Sequence, residues 1–126
     1  MLPAQLVREV EELRAEGYSV ELIDAEGYAN ILFSAYPLGP GYNATSTTLL
    51  LRFPISYPNG RPELFWTDPE LTKADGATPQ SADHFEEHLG RRWRRFSWHP
   101  QRWNPAKDDL RTYLEFVNAG LARAAA

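Results

Sequence analysis

The spacing of apolar residues near the N-terminus is that of an amphipathic helix. Between Pro3 and Glu16, apolar residues recur every three or four positions and polar residues fill the rest; the apolar set is Leu6, Val7, Val10 and Leu13. Pro3 is tolerated in a first helical turn, and Gly17 is typical of the position just beyond a helix end. The pattern predicts a helix over residues 3–16.

Beyond Gly17 the apolar period shortens to two, which is the period of a β-strand. Alternation begins at Tyr18, and a turn at Glu26-Gly27 ends it. Three further segments rich in β-branched, aromatic or leucine residues follow at 28–36, 45–53 and 64–67. Four sequential strands with short connections predict an antiparallel meander.

The periodic signal weakens from Asp68 to Arg102, where arginine and aromatic residues are interleaved. We predict no regular structure there, apart from a short helical turn around Ala82 to Leu89. The helical period then returns in the last segment. Asn104 is suited to cap a helix and Pro105 fits a first helical position, ahead of an apolar stripe formed by Leu110, Tyr113, Leu114, Val117 and Leu121.

These elements together predict an α+β fold in a single domain of residues 1–126. Its parts are an N-terminal helix, a four-stranded antiparallel meander sheet, an irregular segment and a C-terminal helix. A chain of 126 residues has the length of one domain.

Composition excludes several classes of function. The chain has no cysteine, so disulfides, thiolate metal ligands and thiol catalysis are ruled out. The formal net charge of −4 argues against nucleic-acid binding, which needs cationic groups to neutralise phosphates. The longest obvious apolar run, residues 49–51, is far below the ~20 residues of a membrane span. We therefore predict no membrane attachment, metal or cofactor. We also predict a cytoplasmic protein, because the first four residues run into a charged segment without a signal-peptide core.

A proline-rich run is the most distinctive part of the sequence, with Phe53-Pro54, Tyr57-Pro58 and Pro62 at fixed spacing. Each proline fixes φ and removes a backbone donor, so the run must form a rigid, extended loop instead of a central strand. It resembles the F-P-x-x-Y-P-x-x-x-P run of the ubiquitin-conjugating-enzyme-like (UBC-like) superfamily and of its non-catalytic RWD relatives. Trp103-Asn104-Pro105 is similar to the W-x-P that opens the helix after that superfamily's active site.

Two further stretches, Thr78 to Phe85 and Arg92 to His99, resemble the prokaryotic UBC-like family E in particular. This resemblance implies a UBC-like fold whose pocket is shaped by Tyr57, Pro58, Pro62, Trp103 and Pro105. It also implies a pathway containing a ubiquitin-like protein, an adenylating (ThiF-like) enzyme and a JAB-type metallopeptidase. In such proteins the first helix contacts the activating enzyme, and its candidate residues here are Arg8, Glu12 and Glu16.

The nucleophile of the superfamily is missing. Its thioester-forming cysteine lies about eight residues before the tryptophan of W-x-P, a position that Arg95 occupies here. Ser97 is the nearest hydroxyl, and it would need a base such as His99 within reach. The His-Pro-Asn signature is absent, since His99-Pro100-Gln101 lies on the wrong side of the expected cysteine position.

Two other groups of residues, a histidine pair and an arginine cluster, can each be interpreted structurally or functionally. His84 and His88 are spaced to share one helical face and bind zinc, but a third ligand is missing, and solvated or capping histidines are favoured. The arginines of the segment 91–102, Arg94 and Arg95 among them, could grip a protein partner, while the interleaved rings are favoured as core.

The leading hypothesis is an accessory protein of a bacterial ubiquitin-like modification system. It would bind the modifier, the activating enzyme or both, without carrying a thioester. One alternative is an unorthodox conjugating enzyme that uses Ser97 and His99. Another is an RWD-like protein-interaction domain.

Overall fold

The computed structural model describes all residues, 1–126, and is an α+β fold. Two helices flank six strands along the chain: α1 (Ala4–Ala15), β1 (Val20–Ala25), β2 (Tyr28–Pro37), β3 (Ser46–Pro54), β4 (Phe65–Thr67), β5 (His84–His88), β6 (Arg91–Phe96) and α2 (Leu110–Ala124). The strands form one antiparallel sheet in the order β1-β2-β3-β4-β6-β5. The predicted class, the terminal helices and the first four strands are confirmed, but the sheet has two strands more than predicted.

Both helices pack against one face of the sheet, which we call the inner face. α1 contributes Leu6, Val10 and Leu13 to this core, and α2 contributes its predicted stripe. Alternate residues of the central strands, such as Leu49 and Leu51 of β3, complete it. Neither helix has the length and apolar character that a membrane span requires.

The opposite, outer face of the sheet holds a second and smaller apolar cluster. Leu50, Trp66 and Trp93 form it, one each from β3, β4 and β6. The turn after β5 reaches across this face to the turn between β1 and β2, where the backbone N–H of Leu89 donates to Glu26 Oε2 at 3.1 Å. The sheet is therefore curled, so that its two ends meet over the outer cluster.

The prediction of an irregular segment with a helical turn around residues 82–89 is wrong. β5 and β6 form a hairpin there, closed by Leu89-Gly90, and β6 pairs with β4. Both turn residues have positive φ, 54° and 75°, as a two-residue type I′ turn requires. Glycine adopts this conformation readily, whereas leucine rarely does, so the turn carries only half of its usual sequence signature.

The predicted start of the C-terminal helix is also wrong. Asn104 closes a separate turn, with its side chain accepting from the N–H of Ala106, and α2 begins at Leu110. Asp109 caps α2 through a reciprocal pair with Thr112, in which each side chain accepts from the other residue's backbone N–H. Asn104 cannot form that pair, because the residue three positions on is Lys107, whose side chain carries no acceptor.

Candidate functional site

The proline-rich loop that follows β3 and the Trp103-Asn104-Pro105 segment contact each other. Trp103 Nε1 donates to the carbonyl of Pro58 at 2.7 Å, and the Trp103 and Tyr57 ring centroids are 6.2 Å apart. The Tyr57–Pro58 peptide bond is cis. Tyr57 is buried, and its hydroxyl donates to Glu9 Oε1 of α1 at 2.6 Å. Burial and the neighbouring Glu9 raise the pKa of Tyr57 far above its usual range, so the hydroxyl stays a donor that ties the loop to α1.

Two other candidate pocket residues, Pro62 of the proline-rich run and Pro105 of the W-x-P motif, differ in their surroundings. Pro62 is buried where the loop leads into β4. Pro105 is exposed in the turn that precedes α2, so it contacts solvent instead of opening the helix.

Arg95 stands where the resemblance places the family's cysteine, and it lies inside a strand. In β6 it is registered opposite Trp66 of β4 on one side and His84 of β5 on the other. Its Nη1 donates to Glu86 Oε2 at 2.7 Å, and its Nε donates to Ser97 Oγ at 3.0 Å. The position where the resemblance places a nucleophile is therefore occupied by a cation fixed between two strands.

Glu86 links Arg95 to a chain of polar contacts that crosses the outer face; we call Glu26, Arg52, Glu86, His88 and Arg95 the outer-face network. Glu86 Oε1 accepts from His88 Nε2 at 3.0 Å, and His88 Nδ1 accepts from Arg52 Nη1. Arg52 Nη2 donates to Glu26 Oε1 at 2.8 Å. Because one ring nitrogen of His88 donates and the other accepts, these contacts fit the neutral imidazole.

Glu86 is held as a carboxylate by this network. Burial opposes its ionisation, but hydrogen bonds from His88, Trp66 Nε1 and Arg95 outweigh burial and lower the pKa of Glu86. Asp68 behaves in the same way: burial opposes ionisation, and the backbone N–H of Thr48 outweighs it together with Arg91, so the pKa is lowered. Neither carboxyl is poised to exchange protons near neutral pH.

Acid should therefore destabilise the fold through these two carboxyls. A carboxyl whose pKa is lower in the folded than in the unfolded chain stabilises the fold when it is ionised. This stabilisation is complete above the pKa of the unfolded chain, about 4, and is lost as the pH falls through the pKa of the folded chain. We expect the free energy of unfolding, measured in urea, to fall steeply between about pH 5 and about pH 2. Glu86→Gln should reduce that slope.

Glu87→Gln is the matched control, since Glu87 lies next to Glu86 on β5 and makes no ion pair or side-chain hydrogen bond. Equal slopes for the Glu86→Gln and Glu87→Gln variants would contradict a stabilising role for the outer-face network.

A groove of about 460 Å³ opens on the outer face beside this network. Its walls come from β2, β3, the proline-rich loop, β4 and β5: Tyr28, Arg52, Pro54, Arg61, Glu63, Leu64, Trp66, Glu86 and His88. Arg52 is almost fully buried beneath it, with its guanidinium 4.5 Å from the centroid of the Tyr28 ring. Charges of both signs line the groove, and their main contacts are with one another.

Ser97 and His99 are not hydrogen-bonded to each other. Ser97 Oγ accepts from Arg95, and His99 Nδ1 lies 3.6 Å from Glu63 Oε2 with its side chain 55% exposed. The structure thus engages the hydroxyl with a cation and the imidazole with a carboxylate, and the catalytic pairing stays a prediction.

The candidate partner residues fall into two groups. On α1, Arg8 and Glu12 are exposed, while Glu16, which caps the end of that helix, is bonded to Arg111 of α2. On β6, Arg94 is buried at 6% exposure and donates to the carbonyls of Ala82 at 2.6 Å and Pro69 at 3.3 Å. Arg94 is therefore enclosed by the protein's own backbone.

His84 and His88 lie at opposite ends of β5 instead of on a helix, roughly 13 Å apart at the rise of a strand. The structure brings together no group of three residues able to hold a metal ion. Sequence reasoning missed the outer-face network because its members come from four separate segments. The one available signal was the two-residue interruption, Leu89-Gly90, between two short polar and aromatic runs.

Comparison with known families supports the scaffold on which these residues sit. The model of prokaryotic E2 family E matches residues 6–124, nearly the whole chain. No curated protein and no solved structure gives a match. The matched range includes α2, all six strands and the position of Arg95, and it covers α1 from Leu6 onward. The chain therefore belongs to prokaryotic E2 family E, which is a family of conjugating-enzyme-like proteins.

Proposed function

We propose that this protein is a non-catalytic component of a bacterial ubiquitin-like modification system. In this proposal it binds a ubiquitin-like protein, its adenylating (ThiF-like) enzyme, or both, and forms no thioester. Membership of a conjugating-enzyme-like family supports the pathway. The absence of cysteine removes the group that would carry the modifier.

One observation carries the non-catalytic assignment, namely the state of Arg95. A transfer site needs a nucleophile that substrate can approach, with a base or a lowered pKa to activate it. Arg95 is neither open to a substrate nor activated as a nucleophile. It lies in β6 between two strands, and its guanidinium is bonded to Glu86 and Ser97. A guanidinium cannot act as a nucleophile near neutral pH, since it remains protonated.

The exposed charged surface of α1 supports a role in binding the adenylating enzyme. The exposed Arg8 and Glu12 lie one helical turn apart on α1, where the resemblance places the contact with the activating enzyme. Exposed charges of this kind mainly affect the rate and specificity of association. The third candidate, Glu16, is engaged by Arg111, so it has less freedom to meet a partner.

Incubation with the adenylating enzyme, ATP and the ubiquitin-like protein tests the proposal. We expect a complex detectable by gel filtration and no covalent adduct by intact-mass spectrometry. An adduct that disappears in Ser97→Ala would overturn the proposal in favour of an unorthodox enzyme. Absence of any complex with either partner would overturn the binding role and favour an RWD-like interaction domain of another system.

Charge reversal on α1 locates the contact. Glu12→Arg should weaken binding of the adenylating enzyme several-fold, mainly by slowing association. Glu70→Arg is the matched control, because Glu70 is an exposed glutamate in the loop after β4, away from α1. Equal affinities for the two variants would remove α1 from the proposed interface.

A further inference from the structure

We propose that two copies of this chain associate by pairing their β5 strands antiparallel, about a two-fold axis at Glu86. The two six-stranded sheets then join into one continuous sheet. This inference is independent of the proposed function, because it rests on the geometry of the hairpin alone.

The backbone of β5 has an open edge. β5 is the last strand of the sheet and pairs only with β6. Across the two-residue turn, His88 is registered with Arg91, so hydrogen-bonded pairs fall at residues 88, 86 and 84 of β5. The backbone N–H and C=O groups of Phe85 and Glu87 therefore point away from β6, towards a strand that is not there.

The side chains at this edge are a cation and an anion without ion-pair partners. Arg92 is registered opposite Glu87, yet its guanidinium lies over the Phe85 ring, 4.3 Å from the centroid. Neither Arg92 nor Glu87 forms an ion pair. Phe85 is 39% exposed. Arg92 thus extends across β5 towards the free edge of that strand. Glu87 lies on the same edge, two residues after Phe85.

Charge selects one register for self-pairing. If Phe85 faced Phe85 of a second copy, Glu87 would face the exposed Asp83. If Glu87 faced Glu87, two carboxylates would meet directly. When Phe85 faces Glu87, each Glu87 lies beside the Phe85 ring and the Arg92 guanidinium of the other copy, so both ion pairs form at once.

On the outer face, the same register brings two Glu86 side chains together at the two-fold axis, and the structure can accommodate them. There Glu86 of each copy faces its equivalent, but each carboxylate is already bonded to its own Arg95, His88 and Trp66. The shared edge supplies about four backbone hydrogen bonds. So short an edge predicts a weak dimer whose population rises with protein concentration.

Two single charge reversals and their mixture test this arrangement by sedimentation equilibrium. Arg92→Glu and Glu87→Arg should each weaken self-association roughly tenfold, because each creates two like-charge contacts across the axis. An equimolar mixture of the two variants should associate again, since every contact in the mixed dimer pairs opposite charges. The double variant Glu87→Arg/Arg92→Glu should also self-associate.

Arg102→Glu serves as the control, because Arg102 is exposed, lies outside the hairpin and forms no ion pair; its dimer should match the wild type. Far-ultraviolet circular dichroism confirms that each variant is folded. A wild-type chain that stays monomeric at every concentration would overturn the proposal and leave this edge to an extended segment of another protein. A mixture that stays monomeric while the wild type dimerises would equally overturn it.

Discussion

Replacing Trp93 with alanine is expected to lower the free energy of unfolding by about 3–5 kcal/mol, the usual cost of removing a large aromatic side chain from a core. Trp93 is 1% exposed and packs with Leu50 and Trp66 on the outer face. Its Nε1 also donates to the carbonyl of His88 at 2.9 Å, across the hairpin. The substitution would remove one of the two tryptophans from a cluster that has only three buried members, with Leu32, Leu64 and Leu89 packed against it.

Phe85→Ala provides the comparison for Trp93→Ala. Phe85 lies on the same hairpin but faces the inner side and is 39% exposed, so its loss should cost no more than about 1 kcal/mol. Urea unfolding at one low protein concentration measures both variants. If the two variants lose similar free energies of unfolding, the outer cluster contributes little to stability and the inner core alone maintains the fold.

The Trp93 result bears on function because the outer cluster positions the hairpin. The hairpin places Arg95 between β4 and β5, at the position where the resemblance places the family's cysteine. Trp93, Trp66 and Glu86 hold that hairpin against the sheet through packing and through the Trp66–Glu86 hydrogen bond of 2.9 Å. Loss of a partner complex in Trp93→Ala would therefore report loss of the hairpin, and it should be interpreted only beside the unfolding data.

The sequence predicted the elements whose apolar residues are regularly spaced or consecutive. Periods of 3.6 and 2 are visible in the helices and in β1, whereas β3 was visible as a run of leucines that serves both faces, with Leu49 and Leu51 in the main core and Leu50 in the outer cluster. The resemblance implied that the proline-rich loop and Trp103 shape one pocket; the structure shows a bond from Trp103 to the Pro58 carbonyl, and the role of these residues as a pocket stays a prediction. These features depend on local spacing and on rigid prolines.

The hairpin could not be predicted in this way, because both of its faces mix charge with rings. On β6 the outer face carries Arg91, Trp93 and Arg95, while the inner face carries Arg92, Arg94 and Phe96. Arginines stack on several of the rings, with Arg91 4.0 Å from the Trp93 ring centroid and Arg94 4.6 Å from that of Phe85. Such stacking buries aromatic surface beneath cations, so no apolar alternation remains in the sequence.

The outer-face network is likewise invisible along the chain. Glu26 and Arg52 are 26 residues apart and His88 is a further 36 residues on, yet curling of the sheet brings the three side chains together. Arg52 looks in sequence like a surface residue of β3, because it follows three leucines and alternates with Phe53. Its near-complete burial follows only from the turn that the hairpin sends across the outer face.

Arg94 shows most clearly how burial changes the interpretation of a charged residue. In the sequence it belongs to a dense arginine cluster that suggested a partner surface. In the structure its guanidinium donates to the carbonyls of Ala82 and Pro69, which belong to the loop between β4 and β5. Burial lowers the pKa of Arg94, and the side chain stays charged because arginine begins from so high a value.

Arg94→Ala should therefore lower the free energy of unfolding by about 2–4 kcal/mol, since two carbonyls lose their donor and a buried stem is removed. Arg92→Ala is the matched control: it lies two residues away on the same face of β6, is exposed, and should change stability by less than about 1 kcal/mol. If Arg94→Ala unfolds like the wild type yet loses partner binding, Arg94 is an interface residue after all. If it loses both, while Arg92→Ala keeps both, Arg94 supports binding only by holding the β4–β5 loop to the sheet.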